Sequence, residues 1–180
     1  MKSTPTEIDH AAARSVPRAV GPGRMREVMS RFATGVTVLT VGGDHPHAMT
    51  ANAFSSVSLD PPAVLACVGH GAVMHQALTD AGRFAVNILG AGQEELARHF
   101  ADRRRTLGAA QFEGVARRPG RHTGAPLLDG AVAWLECELA ASHEFGDHTV
   151  FIGSVLAAAQ EADEDELLFV GGRFGRPATP

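Results

Sequence analysis

A chain of 180 residues, 44% hydrophobic, is long enough for one domain with a real core and too short for two comfortable ones. Its formal net charge of -4 argues against a nucleic-acid backbone or an anionic membrane as the main partner, and the absence of Tyr with a single Trp leaves few platforms for stacking bases. No apolar run approaches the roughly 18 residues of a membrane span, no apolar segment marks a secretory signal, and two cysteines make no disulfide framework, so the expectation is a cytoplasmic protein with reduced thiols.

Residues 1–23 carry Pro5, Pro17, Gly21, Pro22 and Gly23 without periodicity and read as a flexible arm; residues 24–176 form the domain and 177–180 a tail. Met25, Val28, Met29 and Phe32 fall at helical spacing, one apolar face of a short helix that Thr34-Gly35 ends. The β-branched run Val36–Val41, a Gly42-Gly43-Asp44 turn and a returning strand over His47–Phe54 predict a hairpin. Ala63–Val68 reads as a buried strand, Val73–Leu78 as a short helix and Phe84–Leu89 as a strand. Gln93–Ala101 reads as a helix with Leu96 and Phe100 on one side. Over Ala131–Ala141 the apolar Ala133, Leu135, Cys137 and Leu139 alternate with Trp134, Glu136 and Glu138, which predicts a strand whose second face is wet or turned to a partner. Phe145-Gly146-Asp147-His148 is a turn, Thr149–Val155 returns, and Leu167–Val170 is a last short strand. Many short strands with brief helices predict an antiparallel barrel or sandwich.

No dinucleotide-binding glycine fingerprint, phosphate-binding Walker loop, zinc-finger spacing or nucleophile elbow is present. His45 with His47, and His70 with His75, read as polar turn and helix-face residues before they read as metal ligands. Arg103-Arg104-Arg105 reads as a solvated run after a helix, with contact to a ligand phosphate as the alternative; the acidic stretch from Glu161 to Glu166 reads as an exposed hairpin tip.

The segment Met49–Pro62, MTANAFSSVSLDPP, is different. Thr50, Asn52, Ser55, Ser56 and Ser58 offer hydrogen-bonding side chains where a strand would ordinarily carry bulk, while Met49, Phe54, Val57 and Leu59 imply partial burial. Small polar side chains let a flat ligand approach the backbone closely, and an edge strand with a wet face would look the same.

In order along the chain, RFATGVTVLT (31–40), MTANAFSSVSLDPP (49–62), RFAVNIL (83–89) and GDHTVFIG (146–153) resemble the short-chain flavin reductases, the NAD(P)H:flavin oxidoreductase components of two-component monooxygenases. The resemblance covers roughly residues 25–176. It implies a mainly β fold, the split β-barrel: a Greek-key antiparallel barrel with a few short flanking helices, forming a homodimer with flavin near the interface. It implies FMN or FAD as the flavin, NADH or NADPH as hydride donor, and reduced flavin passing by diffusion to a separate monooxygenase. It carries Thr34, Thr50, Ala51, Asn52, Ala53, Ser55, Ser56, Val57, Cys67, Val68, Phe84, Ala85, Asn87, Phe100, Arg173 and Phe174 to the flavin site and His148 to nicotinamide docking. The sequence departs from the family at Gly69-His70-Gly71-Ala72, where an Asp- or Asn-led loop containing Ser is common, and at Phe174, where Tyr is common after Arg. A split-barrel protein that binds flavin without turning over NAD(P)H is the alternative.

Overall fold

The computed structural model describes residues 20–178, so most of the expected arm and the last two residues of the tail lie outside the described residues. The elements run α1 (Pro22–Met29), β1 (Thr34–Gly35), β2 (Thr37–Val41), β3 (His47–Ala51), β4 (Phe54–Leu59), β5 (Pro62–Gly69), α2 (Val73–Ala81), β6 (Arg83–Ile88), α3 (Glu94–Ala101), β7 (Arg117–Pro119), β8 (Pro126–Leu128), β9 (Ala133–Phe145), β10 (His148–Gln160), β11 (Leu168–Val170) and β12 (Arg173–Gly175). Among these residues no helix is long and apolar enough to cross a membrane.

Seven strands form one antiparallel sheet in the order β3-β2-β6-β9-β10-β5-β4. Its two edge strands, β3 and β4, are consecutive in the chain, with Asn52 and Ala53 between them. A link that short can join opposite edges only if the sheet curls until they meet. The barrel is therefore split at the β3–β4 seam, which Asn52 and Ala53 cross covalently while Cys67 N–H donates to the Ala53 carbonyl at 2.9 Å. The single strand expected over His47–Phe54 is thus two, because the chain changes edge at Asn52.

The barrel interior is filled by Leu39, Val41, Val64, Ala66, Val68, Phe84, Val86, Cys137 and Phe151, with Met74 and Leu78 of α2 packed against them. A second cluster covers the outer face of β2: Val36 and Val38 pack with Leu89, Phe100, Phe112, Leu128 and Leu167. This leaves β2 buried on both faces and explains its continuous apolar and threonine run. Each of these phenylalanines contributes about 1.5–3 kcal/mol by burial. Two glycines are dictated locally. Gly82 ends α2 at φ +62° with its N–H on the Leu78 carbonyl, and a Cβ at Gly153 would lie 2.6 Å from Phe84 Cζ.

Three expectations change. Helix α1 begins at Pro22, stops at Met29 short of Phe32, and buries none of its residues: Met25, Val28 and Met29 remain 54%, 52% and 47% exposed, and Phe32 beyond it 66%. The second face of β9 is wet only in part: Glu138 stays exposed, paired with Arg83 at 3.0 Å, but its neighbours on that face are covered. Glu136 is buried, accepting N–H bonds from Arg121, His122 and Thr123 and the Thr123 hydroxyl, while the Trp134 indole donates to Glu161 and Arg118 lies 5.8 Å over its ring. Arg105 is not simply solvated: it is half-buried and donates to the Asp102 and Ala48 carbonyls.

Candidate active site

The seam opens into a cleft of about 620 Å³ lined by β3 and the link (Met49–Ala53), Cys67 and Gly69 of β5, the His70–Ala72 loop, the hairpin residues Asp147 and His148, and two guanidinium groups, Arg26 and Arg103. Its walls are mostly small. Ala51, Ala53, Gly69, Gly71 and Ala72 leave room for a flat ring to lie against the backbone, in a volume typical of nucleotide-sized ligands. An adjoining hollow of about 320 Å³ shares Met49, Thr50, Gly71, Ala72 and Arg103 with it and adds Phe100 and Arg105.

Local bonding fixes several polar parts of this lining. The Thr50 hydroxyl donates to the Ala97 carbonyl at 2.7 Å, so its proton ties β3 to α3 and only its lone pairs face a ligand. His70 N–H reaches the Asp147 carbonyl at 3.0 Å, holding the loop against the β9–β10 hairpin. The Thr149 hydroxyl, buried, lies 3.2 Å from His70 Nε2 and 2.8 Å from His75 Nε2, so one hydroxyl orients both imidazoles. His148 Nδ1 is 2.9 Å from Asp147 Oδ1, and that bond holds the Asp147 carboxyl below its usual range.

Behind the cleft, Arg105 approaches His47 Nε2 at 3.4 Å, and Gln111 bridges the Ala48 N–H and the Pro46 carbonyl. Burial, and then the Arg105 charge, lower the His47 pKa to about 4, so this imidazole is neutral at physiological pH. Burial and then the neighbouring Glu136 charge push the Cys137 thiol up to about 12, which leaves it inert, whereas Cys67 is half-buried and lines the cleft.

The structure therefore brings together Thr50, Ala51, Asn52, Ala53, Cys67 and His148. It places Phe100 in the adjoining wall. Other expected site residues lie elsewhere. Phe84, Ala85 and Val68 are sealed in the interior, and Asn87 is a buried hub: its amide donates to the Val38 and Pro126 carbonyls at 3.2 and 3.3 Å and accepts from Leu128 N–H at 2.8 Å. Their side chains support the barrel and do not line the cleft. Ser55, Ser56 and Val57 are exposed on edge strand β4, with the Ser55 hydroxyl on the Ser56 carbonyl, and they are outside the lining. Thr34, Arg173 and Phe174 belong to a separate three-stranded sheet, β1-β11-β12, where Thr34 pairs with Phe169 and the Phe174 ring meets that of Phe169 edge-on at 5.2 Å. The polar cleft residues outside the expected site set are Arg26, His70, Arg103 and Asp147. Arg103 stands in the basic run whose phosphate alternative pointed this way, but nothing local separates Arg26 from Arg24 or Arg31.

Comparison with known proteins bears on this geometry. Residues 29–178 match the family described as flavin reductase like domain. The NADH-dependent FAD reductase of Streptomyces globisporus is 54% identical over 153 residues, covering 85% of this chain and 84% of that one. The reductase subunit HsaB of a flavin-dependent monooxygenase from Mycobacterium tuberculosis is 33% identical over 158 residues, covering 86% and 82%. The solved structure of Streptomyces globisporus C-1027 NADH:FAD oxidoreductase SgcE6 with NAD and FAD fragments superposes with a TM-score of 0.82 at 52% identity, covering 87% of this chain and 92% of that chain.

Proposed function

Because the chain belongs to the flavin reductase like domain family, we propose that it is an NADH-dependent flavin reductase that passes reduced flavin to a separate monooxygenase. The nearby FAD reductase makes FAD the first flavin to test and FMN the second. The observation that carries the reading is the convergence of Thr50–Ala53, Cys67 and His148 on one cleft of small residues.

The residues present suit a flavin and a nicotinamide. When both are bound, the pair supplies the chemistry: a hydride, with its two electrons, passes from nicotinamide C4 to flavin N5. The chain contributes position. Ala51, Ala53, Gly69 and Gly71 admit stacked rings against the backbone. Asp147 restrains His148 at Nδ1, which leaves Nε2 beside Gly69 to bond a nicotinamide carboxamide. The protein acts as a cytoplasmic homodimer in this proposal; the dimer is supported by Met25, Val28 and Met29 of α1, which the described residues leave exposed.

Steady-state NADH oxidation with FAD, FMN or riboflavin, beside flavin fluorescence quenching, tests this. Saturable, flavin-dependent oxidation is expected. Protein that quenches flavin fluorescence without oxidising NADH would be a flavin-binding module instead, and protein that does neither would refute the reading altogether.

A further inference from the structure

Arg103 owes its place at the cleft to its neighbours in the chain. It follows α3, whose last turn ends at Ala101. Arg104 folds back onto the Asp102 carboxylate, which accepts from its main-chain N–H at 2.9 Å. Arg105 turns into the protein onto the Ala48 and Asp102 carbonyls. With Asp102 and Arg104 tied to each other on either side of it and Arg105 turned inward, Arg103 lines the cleft and its adjoining hollow. Arg26 lines the same cleft from α1, where Arg24 has Glu27 as its ion-pair partner at 2.8 Å. Among the described residues neither Arg26 nor Arg103 forms a salt bridge. The lining holds one carboxylate, Asp147, and it is already engaged by His148. Meanwhile the Gly69-His70-Gly71-Ala72 loop has neither hydroxyl nor carboxylate to offer.

We propose that Arg26 and Arg103 clamp a phosphate group of a bound nucleotide at this cleft, doing by guanidinium charge what this loop lacks hydroxyls to do. A guanidinium gives forked, charge-assisted hydrogen bonds to phosphate oxygens, and two from separate elements bracket one group. The inference rests on the proposed flavin reduction and adds a specificity to it. Both the flavin nucleotide and the nicotinamide dinucleotide carry phosphate, and the test separates them.

Arg26→Gln, Arg103→Gln, the double variant and Arg103→Lys are titrated with riboflavin and with FMN by fluorescence quenching. KM is measured in parallel for NADH and for N-benzyl-1,4-dihydronicotinamide, a donor without phosphate. If the phosphate is the flavin's, each glutamine variant weakens FMN about tenfold or more, riboflavin is unchanged, Arg103→Lys recovers part of the loss, and the double variant binds FMN no better than riboflavin. If it is the dinucleotide's, KM for NADH rises by a similar factor while that for the benzyl donor holds. Equal weakening of FMN and riboflavin, or no change in either arm, overturns the clamp. The reductase reading is judged on the wild-type protein alone, so the two can fail separately; wild-type protein that binds neither flavin nor NADH overturns both.

Discussion

Gly69 and His148 stand opposite each other across β5 and β10, and a Cβ at position 69 would lie 3.5 Å from His148 Nε2. The imidazole is thus fastened at Nδ1 by Asp147 and bounded at Nε2 by a residue with no side chain, which leaves that nitrogen accessible from the cleft. His148→Ala should raise KM for NADH by on the order of tenfold, the value of one hydrogen bond of about 1.4 kcal/mol, with little change in flavin affinity or melting temperature. Initial-rate kinetics and a thermal melt check this. Loss of flavin binding at constant KM for NADH would remove His148 from the nicotinamide side.

Asn87→Ala should act on stability. It removes the acceptor of a buried Leu128 N–H and the donor to two buried carbonyls, a loss of about 2–3 kcal/mol that lowers the melting temperature by about 4–12 °C. The folded variant should keep its flavin affinity. A variant that melts like the wild type but no longer binds flavin would return Asn87 to the site.

His47 makes stability depend on acid. Its folded pKa of about 4 lies below the ordinary 6.5, so the unfolded chain binds more protons between those values. The stabilisation is therefore complete above about pH 6.5 and is lost as pH falls toward 4, at most about 3 kcal/mol in all. Carboxylates titrate in the same window, so the informative quantity is a difference. Urea midpoints of His47→Gln should fall less steeply than those of the wild type from pH 6.5 to 4. Parallel curves would show that His47 titrates normally.

Light scattering should give twice the 18.9 kDa chain mass. Met25, Val28, Met29 and Phe32 are apolar side chains that the described residues leave exposed, and burial in a twofold interface stabilises such side chains. Phe32→Asp should shift the protein toward monomer at micromolar concentration. A wild-type monomer, or a Phe32→Asp protein that remains fully dimeric, would place the contact elsewhere.

The barrel was legible because strands such as β5 and β10 alternate, β2 carries a continuous apolar and threonine run, and the turns carry glycine: Gly146 at φ +64° closes the β9–β10 hairpin where the turn was expected. Glu136 was misread because alternation reports a face and not what covers it. Residues 121–123 fold back over that face, and a carboxylate given three backbone N–H bonds can be buried. Phe84–Asn87 resembled site residues by position, yet β6 lies between β2 and β9 in the middle of the sheet, where both faces are covered. Arg26 was hidden, and Arg103 legible only as one arginine of a basic run, for the opposite reason. They are far apart in sequence, and only the curl of the sheet makes them neighbours of one cleft.

The shallow construction of that cleft sets a kinetic limit. Asn52, Ala53, His70, Gly71, Arg26, Arg103 and His148 all line it while remaining exposed. A carrier that must depart after every cycle cannot be held longer than the cycle lasts. At a turnover of about 10 per second and an association rate constant of about 10⁶–10⁷ M⁻¹s⁻¹, residence must stay under about 0.1 s, which requires a dissociation constant for the reduced carrier of about 1–10 μM or weaker. Substitutions that deepen the walls and tighten the grip should therefore slow delivery even where they improve capture.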